Sequence, residues 1–382
     1  MAKQSIENPK EKQSQSTKEK ILAILENESK NQNSISGQEI AEKLNISRAA
    51  VWKAINSLRE QGFDIHGKTN DGYELNSIFS ETTNENDLFS YSLFKSTFEH
   101  FFPQESTCHI EVFSTIDSTN SYATRLLSTV GSLRNSSGGL TESGKKYHKA
   151  IILSESQSAG RGRMGRTFYS PEKTGIYLSL IYAPKGGIQN PAKITAFSAV
   201  AIVRAIKKLY GINASIKWVN DIYLNSKKVA GILTEGFTNF ETGLIESCVI
   251  GIGINIAENE NDFPKDLREI ATSIEESIKK TSTLKNSDFS VHGKKISRVR
   301  LAAEIVGQVF NILESPNDDS IWKEYKSSSF LIGQTVTVHP IIGDEKNSYE
   351  AKVIDIDKNA GLVVSLSDNS KRVLSSGEVS LH

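Results

Sequence analysis

Leu244-Ile-Glu-Ser-Cys-Val-Ile-Gly-Ile-Gly-Ile-Asn-Ile256 is the stretch on which the fold of this 382-residue chain turns. Along an extended backbone Ile250, Ile252, Ile254 and Ile256 fall on one face, and Gly251, Gly253 and Asn255 on the other. Branched apolar side chains belong against a core. The glycine face leaves room for a flat ligand to lie on the sheet, with Asn255 as a polar end. The segment reads as the wall of a binding pocket. Working outward, Val229–Leu233 is a second apolar strand, joined to Ser215–Trp218 across a hairpin through Leu224-Asn225-Ser226. Ile194–Tyr210 is an amphipathic helix ended by Gly211, and Ala150–Leu153 and Gly175–Tyr182 are further strands.

Two segments attached to these strands carry chemistry. Gln157-Ser-Ala-Gly-Arg-Gly-Arg-Met-Gly-Arg166 combines three glycines with three guanidiniums. Glycines allow a backbone to fold over a ligand, and arginines neutralise phosphate, so the segment suits a mobile cationic flap. An exposed basic loop is the plainer alternative. Its G-x-G-x-x-G spacing matches a dinucleotide fingerprint only weakly, because a strand follows it instead of an apolar helix. Lys217-Trp-Val-Asn-Asp-Ile-Tyr223 places Asn220 and Asp221 at a strand end, where they can hold magnesium or orient ribose and phosphate. A buried Asn-Asp turn is the alternative. Lys228 enters an apolar strand and needs an anion there, unless it snorkels to solvent. Gly139-Leu-Thr-Glu-Ser-Gly-Lys145 has P-loop spacing but lacks the Ser or Thr after its lysine and precedes a strand, so it reads as a polar insertion.

Lys plus Arg and Asp plus Glu number 45 each, so no global charge draws the chain to nucleic acid. A DNA contact must come from a local surface or from dimerisation. Two cysteines, Cys108 and Cys248, form neither a disulfide framework nor a zinc site, which points to a reducing, cytoplasmic setting. The polar Met1–Lys20 segment is neither signal peptide nor membrane span, and residues 1–17 read as a disordered tail.

The remainder divides at 18–78, 79–327 and 328–382. In the first part Ile21, Leu22, Ile24 and Leu25 form a helical stripe. A second helix spans Gly37–Leu44, with Ser36 and Glu39 as a capping box. A third, capped by Ser47, runs through Arg59, and a hairpin around Lys68–Asp71 follows. Three helices and a wing make a winged helix-turn-helix, which presents Ser47, Arg48, Ala49 and Lys53 to the major groove, with Lys68 on the wing. A protein-binding module of the same shape is the alternative. Thr335–His339, Tyr349–Ile356, Gly361–Leu366, Lys371–Leu374 and Val379–Leu381 are short strands dense enough for a small SH3-like barrel. Gly131–Lys149 and Ile274–Lys295 are polar interruptions that read as surface loops or mobile insertions.

Together these motifs resemble the bifunctional biotin–protein ligase and biotin-operon repressor family. The resemblance is carried by Asp117-Ser-Thr-Asn120, Gln157, Gly160–Arg166, Lys217-Trp-x-Asn-Asp221, Lys228-x-Ala-Gly-Ile-Leu233, Gly251-x-Gly-Ile-Asn255 and Gly377-Glu-Val-Ser-Leu381. It runs from about residue 20 to the end. Val219 departs from the usual proline, Phe168 from tryptophan, and Met164 from a basic residue.

The resemblance implies an α+β fold, with a central mixed sheet and helices like that of class II aminoacyl-tRNA synthetases. It implies a homodimer when adenylate is bound, operator DNA and a biotin carboxyl carrier protein as partners, and no membrane. ATP and Mg²⁺ are the implied cofactors, and biotin the substrate. Ser118, Thr119, Asn120, Gln157, Gly160, Arg161, Arg163, Lys228 and Gly231 are then expected around biotin. Arg166, Phe168, Lys217, Asn220, Asp221 and Asn255 are expected around ATP, with Asp221 on the magnesium. Arg161, Arg163, Lys217 and Lys228 are the expected catalytic cations. A ligand-sensing repressor without ligase activity and a lipoate-type ligase are the competing functions.

Overall fold

The computed structural model describes residues 17–30, 34–60, 64–68, 72–77, 89–239, 243–257, 263–285, 296–315, 319–339 and 347–381. All but Thr17 of the expected tail lies outside them. The chain forms two compact units, residues 1–86 and 87–382.

The first unit contains helices α1 (Thr17–Lys30), α2 (Gly37–Leu44) and α3 (Arg48–Glu60), then strands β1 (Asp64–Lys68) and β2 (Gly72–Ser77). Ile21, Leu22, Leu25, Ile40, Val51, Ile55 and Leu58 are buried, so apolar stripes of all three helices share one core. The expected capping box is present: Ser36 Oγ accepts from Glu39 N at 3.1 Å, and Glu39 accepts from Ser36 N at 2.9 Å. Asn45 ends α2 in the left-handed region at φ 52°. The wing gains a third chain segment the sequence did not announce. Ile35 and Tyr73 exchange backbone hydrogen bonds of 2.9 and 2.7 Å. Gly72 makes that approach possible, since a Cβ there would stand 2.4 Å from Ile35 O at φ +92°.

The second unit begins with α4 (Tyr91–Phe101), β3 (Ile110–Ile116), α5 (Thr119–Val130), α6 (Glu142–Tyr147), β4 (Ile151–Gln157), β5 (Gly175–Tyr182) and α7 (Pro191–Tyr210). It continues with β6 (Ser215–Lys217), β7 (Asp221–Leu224), β8 (Lys227–Thr238), β9 (Ile245–Asn255), α8 (Ile274–Lys285), α9 (Arg298–Glu314) and α10 (Asp319–Ser328). A seven-stranded sheet runs in the order β3-β4-β5-β9-β8-β7-β6. Only the β3–β4 pair is parallel, bridged by α5 and α6.

Register fixes the faces. Ser179, Gly251 and Leu233 lie in one rung, and Tyr177, Gly253 and Gly231 in the next but one. The intervening rung holds Leu178, Ile252 and Ile232, with side chains on the opposite face. That face is covered by α7, packed in turn on α9. The glycine-bearing face is covered by α5.

The segment read as a polar insertion at 131–149 is instead built into the body. Leu133 is 1% exposed and packs with Leu127, Ile152, Ile181 and Val249. Glu246 accepts from Leu133 N at 2.6 Å and Arg134 N at 3.1 Å, and Arg134 donates to Ala183 O. Gly144 lies inside α6 with its would-be Cβ 1.9 Å from Leu133 O, a packing glycine and not a phosphate loop. Polar composition misled here because the polar groups are spent on backbone. Of the second interruption, 274–285 is α8, and 286–295 lie outside the described residues.

The C-terminal strands β10 (Thr335–His339), β11 (Tyr349–Ile356), β12 (Leu362–Ser365), β13 (Lys371–Leu374) and β14 (Glu378–Leu381) form an antiparallel sheet in the order β13-β12-β11-β10-β14. With β13 and β14 as its two ends the sheet is open, where a closed barrel was expected. It is joined to the central sheet by Trp218 Nε1 donating to Ala360 O at 2.7 Å and Asn190 Nδ2 to Asn359 O at 2.7 Å. The Trp218–Val219 peptide is cis. No helix among the described residues is long and apolar enough to cross a membrane.

Candidate active site

A cavity of about 50 Å³ opens on the glycine face of the sheet, walled by Ser118, Thr119 and Asn120 of the α5 start, Gln157, Arg161–Arg163, Phe168, Asn220, Lys228 and Gly231–Leu233, and by Gly251 and Gly253. Its floor differs from the expectation of bare glycine. A Cβ on Gly251 would stand 2.1 Å from Asn120 Oδ1, and one on Gly253 would stand 2.6 Å from the Phe168 ring. The glycines therefore admit the protein's own amide and ring into the sheet surface.

The polar groups at the α5 end are fixed before any ligand arrives. Ser118 caps α5, its hydroxyl accepting from Ser121 N. Gln157 uses its whole amide: Oε1 accepts from Thr119 N at 2.8 Å and Thr119 Oγ1 at 3.2 Å, and Nε2 donates to Ser170 Oγ at 2.9 Å. Ser179 Oγ donates to Asn120 Oδ1 at 2.6 Å, and Asn120 Nδ2 donates to Glu235 at 3.0 Å and Leu233 O at 3.2 Å. Asp117, first of the quoted run, faces away into a bidentate pair with Arg125 at 2.6 and 2.9 Å. Arg125 holds its carboxyl below the usual range.

The arginine segment is a short hairpin. Phe168 N donates to Gly160 O at 2.9 Å and Gly162 N to Arg166 O at 2.7 Å, around a tip where Met164 and Gly165 take φ 57° and 75°. Gly160 permits the pairing, since a Cβ there would stand 2.3 Å from Phe168 O. Each guanidinium reaches a different element. Arg161 grips Glu235 of β8 at 2.8 and 3.2 Å, and Arg163 donates to Asn220 Oδ1 at 2.7 Å. Arg166 forms a bidentate pair with Glu378 of β14 at 2.9 and 2.5 Å.

The lysines complete the charge pattern. The anion that Lys228 requires is Asp221 on the adjacent strand, at 2.8 Å, and Asn220 Nδ2 also donates to Asp221 at 2.8 Å. Lys228 lies over Gly231, whose would-be Cβ is 3.2 Å from Nζ. Lys217 is held below the usual lysine range by burial, against the attraction of Asp221 and Glu378 and assisted by repulsion from Lys228 and Arg166. Lys217 thus belongs to the same charged cluster. It stands outside the cavity wall, as do Gly160, Arg166, Asp221 and Asn255. Asn255 instead donates to Thr272 O at 3.2 Å.

Sequence reasoning missed Glu235, Ser179 and Ser170, and gave Glu378 no role. Ser179 had a signal, a hydroxyl inside the buried strand β5, and Glu235 a weaker one, a carboxylate just after the apolar Val229–Leu233 run. Glu378 had none, because its partner is 212 positions away.

In the first unit Ser47 caps α3 by accepting from Ala50 N at 3.1 Å, and Ser47, Arg48, Ala49 and Lys53 all lie exposed. The side chain of Lys68 lies outside the described residues.

A cluster of cations beside an open, amide-lined cavity on the sheet suits a site that activates an acid with a nucleotide. Residues 133–255 match the model of the biotin/lipoate A/B protein ligase family, and residues 17–74 that of an HTH domain. The chain is 28% identical over 351 residues to the bifunctional ligase/repressor BirA of Bacillus subtilis, covering 89% of this chain and 92% of that one. It is 35% identical over 240 residues to the protein of the same name from Bacillus spizizenii, covering 63% and 66%. The biotin protein ligase from Aquifex aeolicus, solved in complex with biotin and ATP, shares the fold with a TM-score of 0.53 at 20% identity, over 72% of this chain and 98% of that one. The chain belongs to the bifunctional biotin ligase/repressor family.

Proposed function

We propose that the chain is an ATP-dependent biotin–protein ligase that also represses biotin genes. The observation that carries the ligase reading is the single cavity in which Asn120, Gln157, Arg161, Arg163, Asn220 and Lys228 converge under the hairpin flap. In the first step a biotin carboxylate oxygen attacks the α-phosphorus of ATP, the bond to the β-phosphate oxygen breaks, and pyrophosphate leaves. In the second, a lysine amine of a biotin carboxyl carrier protein attacks the carbonyl of biotinyl-5′-AMP, loses a proton, and AMP leaves.

No residue becomes covalently attached. The chain's contribution is orientation and cationic stabilisation of the developing charge. Arg161, Arg163 and Lys228 hold protein oxygens where ligand oxyanions would go, so binding exchanges Glu235, Asn220 and Asp221 for carboxylate and phosphate. Lys217 and Arg166 extend the cluster toward the triphosphate, and Phe168, on Gly253, offers a ring face to adenine. The closed hairpin keeps water from the mixed anhydride. Asn255, tied to Thr272, supports the adenosine side from behind the wall. Asp221, hydrogen-bonded to Asn220 at 2.8 Å, is the carboxylate read as holding magnesium together with the triphosphate, and no step is assigned to the ion.

The C-terminal sheet is read as an SH3-like module that helps hold ATP and the acceptor. The winged helix is read as the operator-binding element of a dimer formed by adenylate-bound protomers in the cytoplasm. Biotin-dependent exchange of labelled pyrophosphate into ATP tests the catalytic reading. Its absence in folded protein that binds biotin would favour a sensor without ligase activity. Exchange driven by lipoate and not by biotin would favour the lipoate-type reading.

A further inference from the structure

The chain has 3 tryptophans. Trp218 and Trp322 are 5% and 6% exposed, while Trp52, in the middle of α3, is 60% exposed. Helical spacing sets Trp52 one turn after Arg48 and Ala49 and one turn before Asn56, with Lys53 next in the chain at the edge of the same exposed side. Val51, Ala54, Ile55 and Leu58 occupy the opposite, buried face. Arg48, Ala49 and Lys53 are exposed, and α3 carries no acidic residue before Glu60. The Ser47 hydroxyl at the head of this stripe is spent on capping. The outer face of α3 is thus a large apolar ring framed by two cations and a small residue.

Such a face fits a partner with an anionic rim and an apolar spot at its centre. The major groove supplies both: phosphates line its edges, and among the base edges exposed there the C5-methyl of thymine is the one apolar group. Ala49 lets the helix approach closely enough for an indole to reach the floor. We infer that Trp52 is a base-reading residue whose ring packs on thymine methyl groups in the major groove. This rests on the DNA-binding reading of the winged helix and adds a specificity determinant to it.

The full chain, with biotin and ATP present, is used to enrich a randomised duplex pool. Enriched duplexes are then remade with deoxyuridine replacing thymidine one position at a time, which removes a single methyl. The wild-type protein should lose about fourfold in affinity at one or two thymines, the value expected for one buried methyl. Trp52→Ala should bind thymine and uracil duplexes equally, and Trp52→Phe should keep part of the discrimination. Biotin transfer should be unchanged in both variants. An unchanged thymine-to-uracil ratio in Trp52→Ala, or no discrimination by the wild type, overturns the role of Trp52 while leaving DNA binding intact. Enrichment of no duplex by the wild type overturns the DNA-binding reading itself. Should Trp52→Ala bind no duplex, the ratio in Trp52→Phe decides: one equal to wild type overturns the inference.

Discussion

Lys228 and Lys217 are both cations of the candidate active site, and their surroundings set different tests. Lys228 is paired with Asp221 at 2.8 Å and folded over Gly231. Replacing it with methionine keeps the side-chain length and removes the charge that would face the attacking carboxylate and the α-phosphate. Lys228→Met should lower biotin-dependent pyrophosphate exchange by roughly 2–4 kcal/mol of transition-state stabilisation. The fold should persist by circular dichroism, and near-normal exchange would remove Lys228 from the mechanism. Lys217 titrates below an ordinary lysine because it is buried. A bound polyphosphate favours its charged form and raises that value again. Between the two values the complex holds more protons than the free protein, so ATP binding should take up a proton at alkaline pH and weaken as pH rises further. Calorimetry of ATP binding in two buffers of different ionisation enthalpy measures this uptake, and Lys217→Gln should abolish it. The sequence made these lysines, the arginines and Asn220 legible because each interrupts an apolar or glycine-rich pattern. It could not reveal that Gln157 is held by Thr119 and Ser170, or that Asn120 is held by Ser179 and Glu235. Those contacts join strands to the start of α5 and to a loop, far apart in the chain, and spacing along one strand does not encode them.

At the scale of elements the flap is the informative piece. Its glycines and arginines suggested a loose cationic loop, and it is a hairpin whose three guanidiniums are each held by a different element. Arg163 spans from the tip to Asn220, beside the cavity. Arg163→Gly removes that tether but leaves the Arg161 and Arg166 pairs in place. Retention of biotinyl-5′-AMP should therefore fall more than its synthesis, and released adenylate should label accessible lysines of a bystander protein. Mass spectrometry of that bystander reads the leak; a variant that stops making adenylate and leaks none contradicts the retention role. Among regular elements, β9, α2 and β10 were legible because period and capping act locally. The 131–149 segment was not. Many of its polar groups bond to backbone and to Glu246, while Leu133, with Tyr147 packed against the same cluster, carries it into the core.

For the whole molecule, the decisive fact is the division into residues 1–86 and 87–382, with every candidate ligase residue in the second unit. A chain lacking residues 1–78 should retain biotin transfer and lose sequence-specific DNA binding. With equal numbers of acidic and basic residues, a monomer has little general attraction to DNA. On the proposed reading adenylate-driven dimerisation supplies the second half-site, so gel-shift affinity of the full chain should rise when biotin and ATP are added. Equal binding without them would separate the two functions. The most direct measurement remains the transfer itself. The full chain is incubated with biotin, ATP, magnesium and a biotin carboxyl carrier domain, and the carrier's intact mass is recorded. The carrier should gain one biotinyl group on one lysine, with loss of the gain when ATP is omitted. An unmodified carrier in the presence of folded, biotin-binding protein would contradict the account.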